Sequence, residues 1–104
     1  MTPEEQYVRN ASKKGVLFFS EHAYEKMVKL KINKSAVIDC IENGKLVEYQ
    51  NGYTGESPRM LFYYGHSNPF YVVIAIEVPN SVVITVCERD LSIWEVVGET
   101  IKRK

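Results

Sequence analysis

The sequence predicts an α+β domain in which N-terminal helices pack on an antiparallel sheet of about four strands. Three observations predict it. Apolar residues recur at helical spacing as far as Asn43-Gly44 and then change to the alternation of strands. The segments between the later apolar runs, such as Asn51-Gly52 and Gly65 to Pro69, are short and turn-forming, which suits hairpins rather than crossovers. Helical patterns come first and strand patterns after them, the order of an α+β rather than a parallel α/β fold.

Thr2-Pro3-Glu4-Glu5 reads as a helix start, with Thr2 as N-cap, Pro3 in the first turn and Glu5 where a capping box places its carboxylate. Lys13-Lys14-Gly15 closes that helix. Its few apolar residues, Tyr7, Val8 and Ala11, predict a peripheral helix over residues 1–15, or an arm that docks on a second subunit. The core is expected over 16–97. Val16 to Phe19 suits an edge strand or an extended lead-in. Ser20 caps a second helix, with Phe19 and Tyr24 placed as a hydrophobic staple and Ala23, Met27 and Leu30 as its apolar stripe. Asn33 caps a third helix, with Ala36, Val37, Cys40 and Ile41 inward.

Strands are then expected over Lys45–Gln50, Arg59–Tyr64, Phe70–Val78 and Val82–Cys87. In the third, Val72, Ile74, Ile76 and Val78 share a face; the fourth is apolar on both faces and is read as central. Leu91, Ile93, Trp94, Val96 and Val97 are left to cap the core or add a last strand, and 98–104 reads as a solvated tail.

The chain has 104 residues, which is one domain with one core. With 45% hydrophobic and 25% charged residues, it has a globular composition. Thirteen basic residues cancel thirteen acidic ones, so binding to nucleic acid requires charges sorted onto one face. Cys40 and Cys87 lie far apart in apolar stretches and read as buried free thiols. No Cys/His cluster has metal-ligand spacing, so no metal and no cofactor is expected. No apolar run approaches the roughly 20 residues of a membrane span, and Glu4 and Glu5 do not suit a signal peptide. A cytoplasmic chain without a membrane partner is the expectation.

His22 is the foremost candidate for chemistry. It lies in the first turn of the second helix, whose positive end favours a neutral ring able to accept a proton. The competing reading is a ring that only bonds a carbonyl and packs. Arg59 opens the second strand and Arg89 ends the fourth; two guanidinium groups at one site can grip a phosphate. The structural alternative pairs them with Glu48, Glu88 or Asp90. Glu88 is a candidate acid or base beside them. Lys26 and Lys29, with Lys31 and Lys34, form either a cationic patch or the wet face of a helix. Tyr63, with Tyr49, Tyr53 and Tyr64, either stacks unpaired bases or fills half-buried sheet positions. His66 reads as an exposed turn residue.

The segment Phe18-Phe19-Ser20-Glu21-His22-Ala23-Tyr24-Glu25-Lys26-Met27, followed by a second short helix and four strands, resembles the RelE-like and BrnT-like small toxins and their relatives of unknown function. The resemblance covers roughly Phe18 to Asp90. It implies paired helices on a curved sheet, a functional histidine at His22 and a basic residue at Arg59. It also implies RNA or the ribosome as target and a small antitoxin as partner. This chain departs from the pattern where relatives often carry arginine, at Lys26 and Leu30. It departs again where their last strand reads Ile-x-Thr-x-Tyr, since here it is Ile84-Thr85-Val86-Cys87.

Two functions follow. The first is a metal-free endoribonuclease of toxin type. In it His22 is acid or base, Arg59, Arg89 and Glu88 complete the catalytic group, and Lys26, Lys29 and Tyr63 bind substrate. The second is a non-catalytic interaction module on the same scaffold, with a protein partner or a second copy of itself. The first requires His22 and Arg59 to meet in one exposed site.

Overall fold

The computed structural model describes residues 2–52, 55–65, 68–77 and 80–104. His66, Tyr53 and Val78 therefore lie outside the described residues. Three helices come first: α1 (Pro3–Lys13), α2 (Glu21–Leu30), entered through the two-residue strand β1 (Phe18–Phe19), and α3 (Lys34–Asn43). Six strands follow: β2 (Lys45–Gln50), β3 (Arg59–Tyr64), β4 (Phe70–Ala75), β5 (Val82–Glu88), β6 (Trp94–Val97) and β7 (Thr100–Arg103). The fold is α+β, as the sequence predicts.

The helix starts follow from local chemistry. Thr2 Oγ1 accepts from the Glu5 N–H, Ser20 Oγ from Ala23 and Asn33 Oδ1 from Ala36, so each predicted cap satisfies an orphan donor. Phe19 and Tyr24 stack with centroids 5.5 Å apart, as a staple requires. The Glu5 carboxylate does not close a capping box; it pairs with Arg9 at 3.0 Å instead. Helix α2 ends on Lys31 at φ 57°, a left-handed cap that is normally glycine.

The main sheet has the order β1-β5-β4-β3-β2. Strands β2 to β5 form the expected antiparallel meander, and β1 adds a parallel edge by pairing Phe18 with Val82 and Phe19 with Val83. The fourth predicted strand, β5, is therefore next to the edge rather than central. Alternation sends Met60, Phe62, Val72 and Ile74 to the helix side, where they meet Ala23, Met27, Val37 and Ile41. Leu61 and Tyr63 point to the other side, against Trp94 and Ile101, with Tyr71 and Val73 packed around them.

That second layer corrects the tail assignment for 98–104. Residues Thr100–Arg103 form β7, which pairs with β6, and the hairpin lies on the sheet face opposite the helices. Trp94 and Ile101 are almost fully buried there. The Arg103 guanidinium stacks over the Trp94 ring at 4.6 Å and holds both Glu48 oxygens.

Helix α1 is not peripheral either. Its Val8 is fully buried, and Arg9 reaches across to α3. Arg9 Nη1 donates to the carbonyl oxygens of Ile41 and Glu42, and Nη2 donates to that of Gly44, at 2.9 to 3.0 Å. The same guanidinium lies 4.9 Å from the centroid of the Phe62 ring. Arg9→Ala is expected to lower the unfolding free energy by about 3 kcal/mol, because three carbonyls and a carboxylate lose a charged donor. Arg9→Lys should recover little, since an ammonium cannot span all three. Urea midpoints read both; an Arg9→Ala loss below about 1 kcal/mol would show that the clamp does not hold the helices.

Candidate functional site

The sheet sorts the predicted residues into three places. Arg59 begins β3, beside Gln50 on β2 and Ala75 on β4. It has the parity of Leu61 and Tyr63, so its side chain lies on the hairpin side. Arg89 follows β5 at the other end of the sheet, where Tyr64 is level with Phe70 and Phe70 with Glu88. Five strand residues, roughly 17 Å at the usual rise, separate the two ends. His22 lies on α2, in the helix layer, exposed. The fold thus separates His22 from Arg59 by the thickness of the sheet, and Arg59 from Arg89 by its length. The expected single site containing all three is not assembled.

What is assembled is a cleft of about 630 Å³ at the Arg89 end. Phe70 forms its floor, the α2–α3 turn gives Lys31 and Asn33, the β3–β4 connection gives Asn68, and the end of β5 gives Glu88 and Arg89. Glu88 pairs across the ladder with Phe70, so it points to the helix side. Arg89 Nη1 donates to the Tyr63 hydroxyl at 3.1 Å, which draws the guanidinium toward the hairpin side, where Arg89 and Tyr63 also border a second pocket with Lys45 and Glu99; the residue lines the helix-side cleft as well. Among the described residues, no carboxylate pairs with Arg89 or Arg59. The expected pairing with Glu48, Glu88 or Asp90 is therefore not found. Arg103 takes Glu48, and Asp90 accepts instead from the Ser92 N–H and hydroxyl, which hold its carboxyl below the usual range.

Helix α2 joins His22 to this cleft. At 100° per residue His22, Lys26 and Lys29 share one flank, while Tyr24 and Val28 share the opposite one and Ala23 and Met27 face the core between them. From His22 to Lys31 the helix advances roughly 13 Å, and Lys31 lines the cleft. Three of the predicted groups thus share one flank of α2; none of them lines the cleft, which the chain reaches only at the helix end, through Leu30 and Lys31. Sequence reasoning placed Lys31 only in the general basic run and did not assign Asn33 or Asn68 to the site. The signal for Lys31 was available: a lysine where a helix end calls for glycine.

Beside the cleft, the Tyr64 hydroxyl donates to Asp39, and this bond, ahead of partial burial, raises the Tyr64 pKa above its ordinary value. Asn43 Nδ2 donates to the other Asp39 oxygen. The Cys40 thiol is buried against the Phe62 carbonyl at 3.5 Å. Burial first, then the Asp39 carboxylate, push its pKa from 9.0 to about 12. No group of three or more His, Cys, Asp or Glu among the described residues has the geometry to hold a metal ion. No helix among them is long and apolar enough to cross a membrane.

Residues 19–88 match the model of a family described as a domain of unknown function, DUF4258, and the chain belongs to that family. No curated protein and no solved structure matches it. The family match runs from Phe19, the second residue of β1, to the end of β5 and includes both helices that form the cleft; α1 and the β6–β7 hairpin lie outside it.

The two thiols should differ in reactivity. Cys87 is half-exposed and should react with a disulfide reagent at pH 8 in the native protein; Cys40 should react only after unfolding. Because folding raises the Cys40 pKa, its contribution to stability is complete below pH 9 and is lost as pH rises toward 12. Two thiols titrating in the native state would contradict the burial.

Proposed function

We propose that the protein binds single-stranded RNA along the His22–Lys26–Lys29 flank of α2 and cleaves it, without a metal, in the cleft at the end of β5. The observation that carries this reading is Arg89. Its guanidinium has no carboxylate partner and is held by the Tyr63 hydroxyl on the hairpin side, and the residue stands at the sheet end beside a cleft that also holds Lys31, Asn33 and Glu88, so a short swing of its side chain would bring the charge there. A half-buried, unpaired guanidinium is costly unless a ligand supplies the anion.

In this reading a phosphodiester sits between Arg89 and Lys31, and the neighbouring 2′-hydroxyl attacks it. Glu88 accepts the hydroxyl proton, Arg89 stabilises the charge that develops on the non-bridging oxygens, and Lys31 protonates the departing 5′ oxygen. His22, Lys26 and Lys29 hold phosphates further along the strand, each nucleotide step advancing by about the rise of one helical turn. Asn33 and Asn68 offer amide groups to a base edge. Arg59 takes no part. The resemblance to RelE-like toxins supports the reaction class and suggests a cytoplasmic chain with a small inhibitor protein that covers the cleft.

Lys31 adds a physical argument. A left-handed lysine costs about 1 kcal/mol over glycine, and strain of this kind persists where the side chain has a task. Lys31→Gly should therefore leave thermal stability unchanged or higher while weakening RNA binding.

The zero net charge and the exposed Phe18, Tyr24 and Val28 favour a second reading, a non-catalytic module that docks a protein on the apolar flank of α2. One experiment separates the two. Cleavage and binding of RNA, free and ribosome-bound, are measured for the natural protein and for Arg89→Ala, Glu88→Gln, Lys31→Gly and Arg59→Ala. Arg89→Ala should lose about 10²- to 10³-fold in rate, and Arg59→Ala should change nothing. Absence of cleavage and of salt-dependent binding in the natural protein would leave the docking module.

A further inference from the structure

The Arg59 end of the sheet has its own cavity, about 580 Å³, between the β2–β3 loop and the end of β7. Gln50, Asn51, Glu56 and Arg59 line it, with Tyr49 beside them and the Glu48–Arg103 pair as one wall. It lies across the sheet from α2 and at the opposite end from Arg89, so the RNA reading does not use it.

Three observations mark it as a binding site. Arg59 is half-buried, and among the described residues its side chain makes no ion pair or hydrogen bond. Glu56, on the same cavity, is likewise unpaired. A cation and an anion thus face one space without reaching each other, whereas the adjacent Arg103 and Glu48 are in bidentate contact. Finally, Gly52 lies close against the backbone of Glu56 and Ser57. A Cβ there would collide with the Glu56 carbonyl oxygen and the Ser57 carbonyl carbon, so only glycine lets this wall form.

We propose that this cavity binds a small zwitterion of the α-amino-acid class, its carboxylate on Arg59 and its ammonium on Glu56. The planar carboxylate matches the guanidinium fork. A dianion fits worse, because its second charge would meet Glu56 with Arg103 already neutralised by Glu48. The cavity exceeds the size of one amino acid, which leaves room for the side chain.

The test is calorimetric titration, with amide shifts by NMR, against the twenty common α-amino acids. The best binder is then compared with its decarboxylated amine, its deaminated acid and inorganic phosphate. At least one amino acid should bind, and either analogue should bind at least about tenfold more weakly. Arg59→Ala and the exposed Glu56→Gln should each weaken binding by a similar factor, with native spectra. Arg89→Ala should bind normally, and Arg59→Ala should still handle RNA, so this proposal and the RNA reading fail separately. The proposal is overturned if no amino acid binds, if Glu56→Gln and Arg59→Ala bind as the natural protein does, or if phosphate binds as well as the zwitterion.

Discussion

The architecture depends on one guanidinium. Arg9 projects from α1 into the place where α3 ends and β2 begins, and it gives donors to three carbonyls that the helix leaves without partners. The negative end of the α3 dipole and the Glu5 carboxylate both favour a cation there. Phe62, in the middle of β3, carries the guanidinium on its face, so the contact ties two helices to the sheet at once. The chain needs such a device because α3 must stop abruptly. Gly44 sits against the carbonyl oxygens of Cys40 and Tyr63, leaving no room for a side chain that could cap the helix itself. Arginine suits the position because its fork reaches separate acceptors from one rigid plane.

With the helices fixed on one side, the period-two rule decides the rest. Each strand residue commits to the helix side or the hairpin side, and the bulges between Leu46 and Glu48 and between Val73 and Ile74 adjust that commitment locally. The hairpin side would present Leu61, Tyr63, Tyr71 and Val73 to water had β6 and β7 not covered them. Trp94 supplies most of that cover, and Arg103 over its ring, held by Glu48 on β2, fixes the hairpin to the sheet edge. The polar ends of the covered face are left open, and Arg59 and Arg89 stand there, one at each end.

The sequence was legible wherever structure is set by near neighbours. Thr2, Ser20 and Asn33 act as caps through bonds three residues long, and Phe19 meets Tyr24 five residues on; such contacts can be read without a fold. Strand β7 was not legible, because Thr100-Ile101-Lys102-Arg103 carries one apolar residue among polar ones, and its reason to be a strand is Trp94 and the sheet below. Arg9 failed to stand out for the same reason: its acceptors are 32 to 35 residues away. The site suffered most. Glu48 lies 11 residues from Arg59 and 55 from Arg103, and sequence proximity favoured the wrong partner. That His22 and Arg59 face opposite layers follows from the parity of β3 set against the side on which α2 packs, and neither is a local property.

Net neutrality does not weigh against a basic site once the pairing is known. Four of the acids, Glu5, Glu48, Glu95 and Glu99, are engaged with Arg9, Arg103, Lys102 and Lys45, all on α1, β2 or the hairpin. None of those acids lies on α2 or at the end of β5. Among the described residues, the cations without carboxylate partners there, Lys26, Lys29, Lys31 and Arg89, therefore act on their surroundings with Glu21, Glu25, Glu88 and Asp90 as their nearby sequence opponents. Screening limits each exposed charge to about 8 Å at physiological salt, so distant acids cannot cancel them. A ligand approaching α2 meets the local distribution rather than the formal sum.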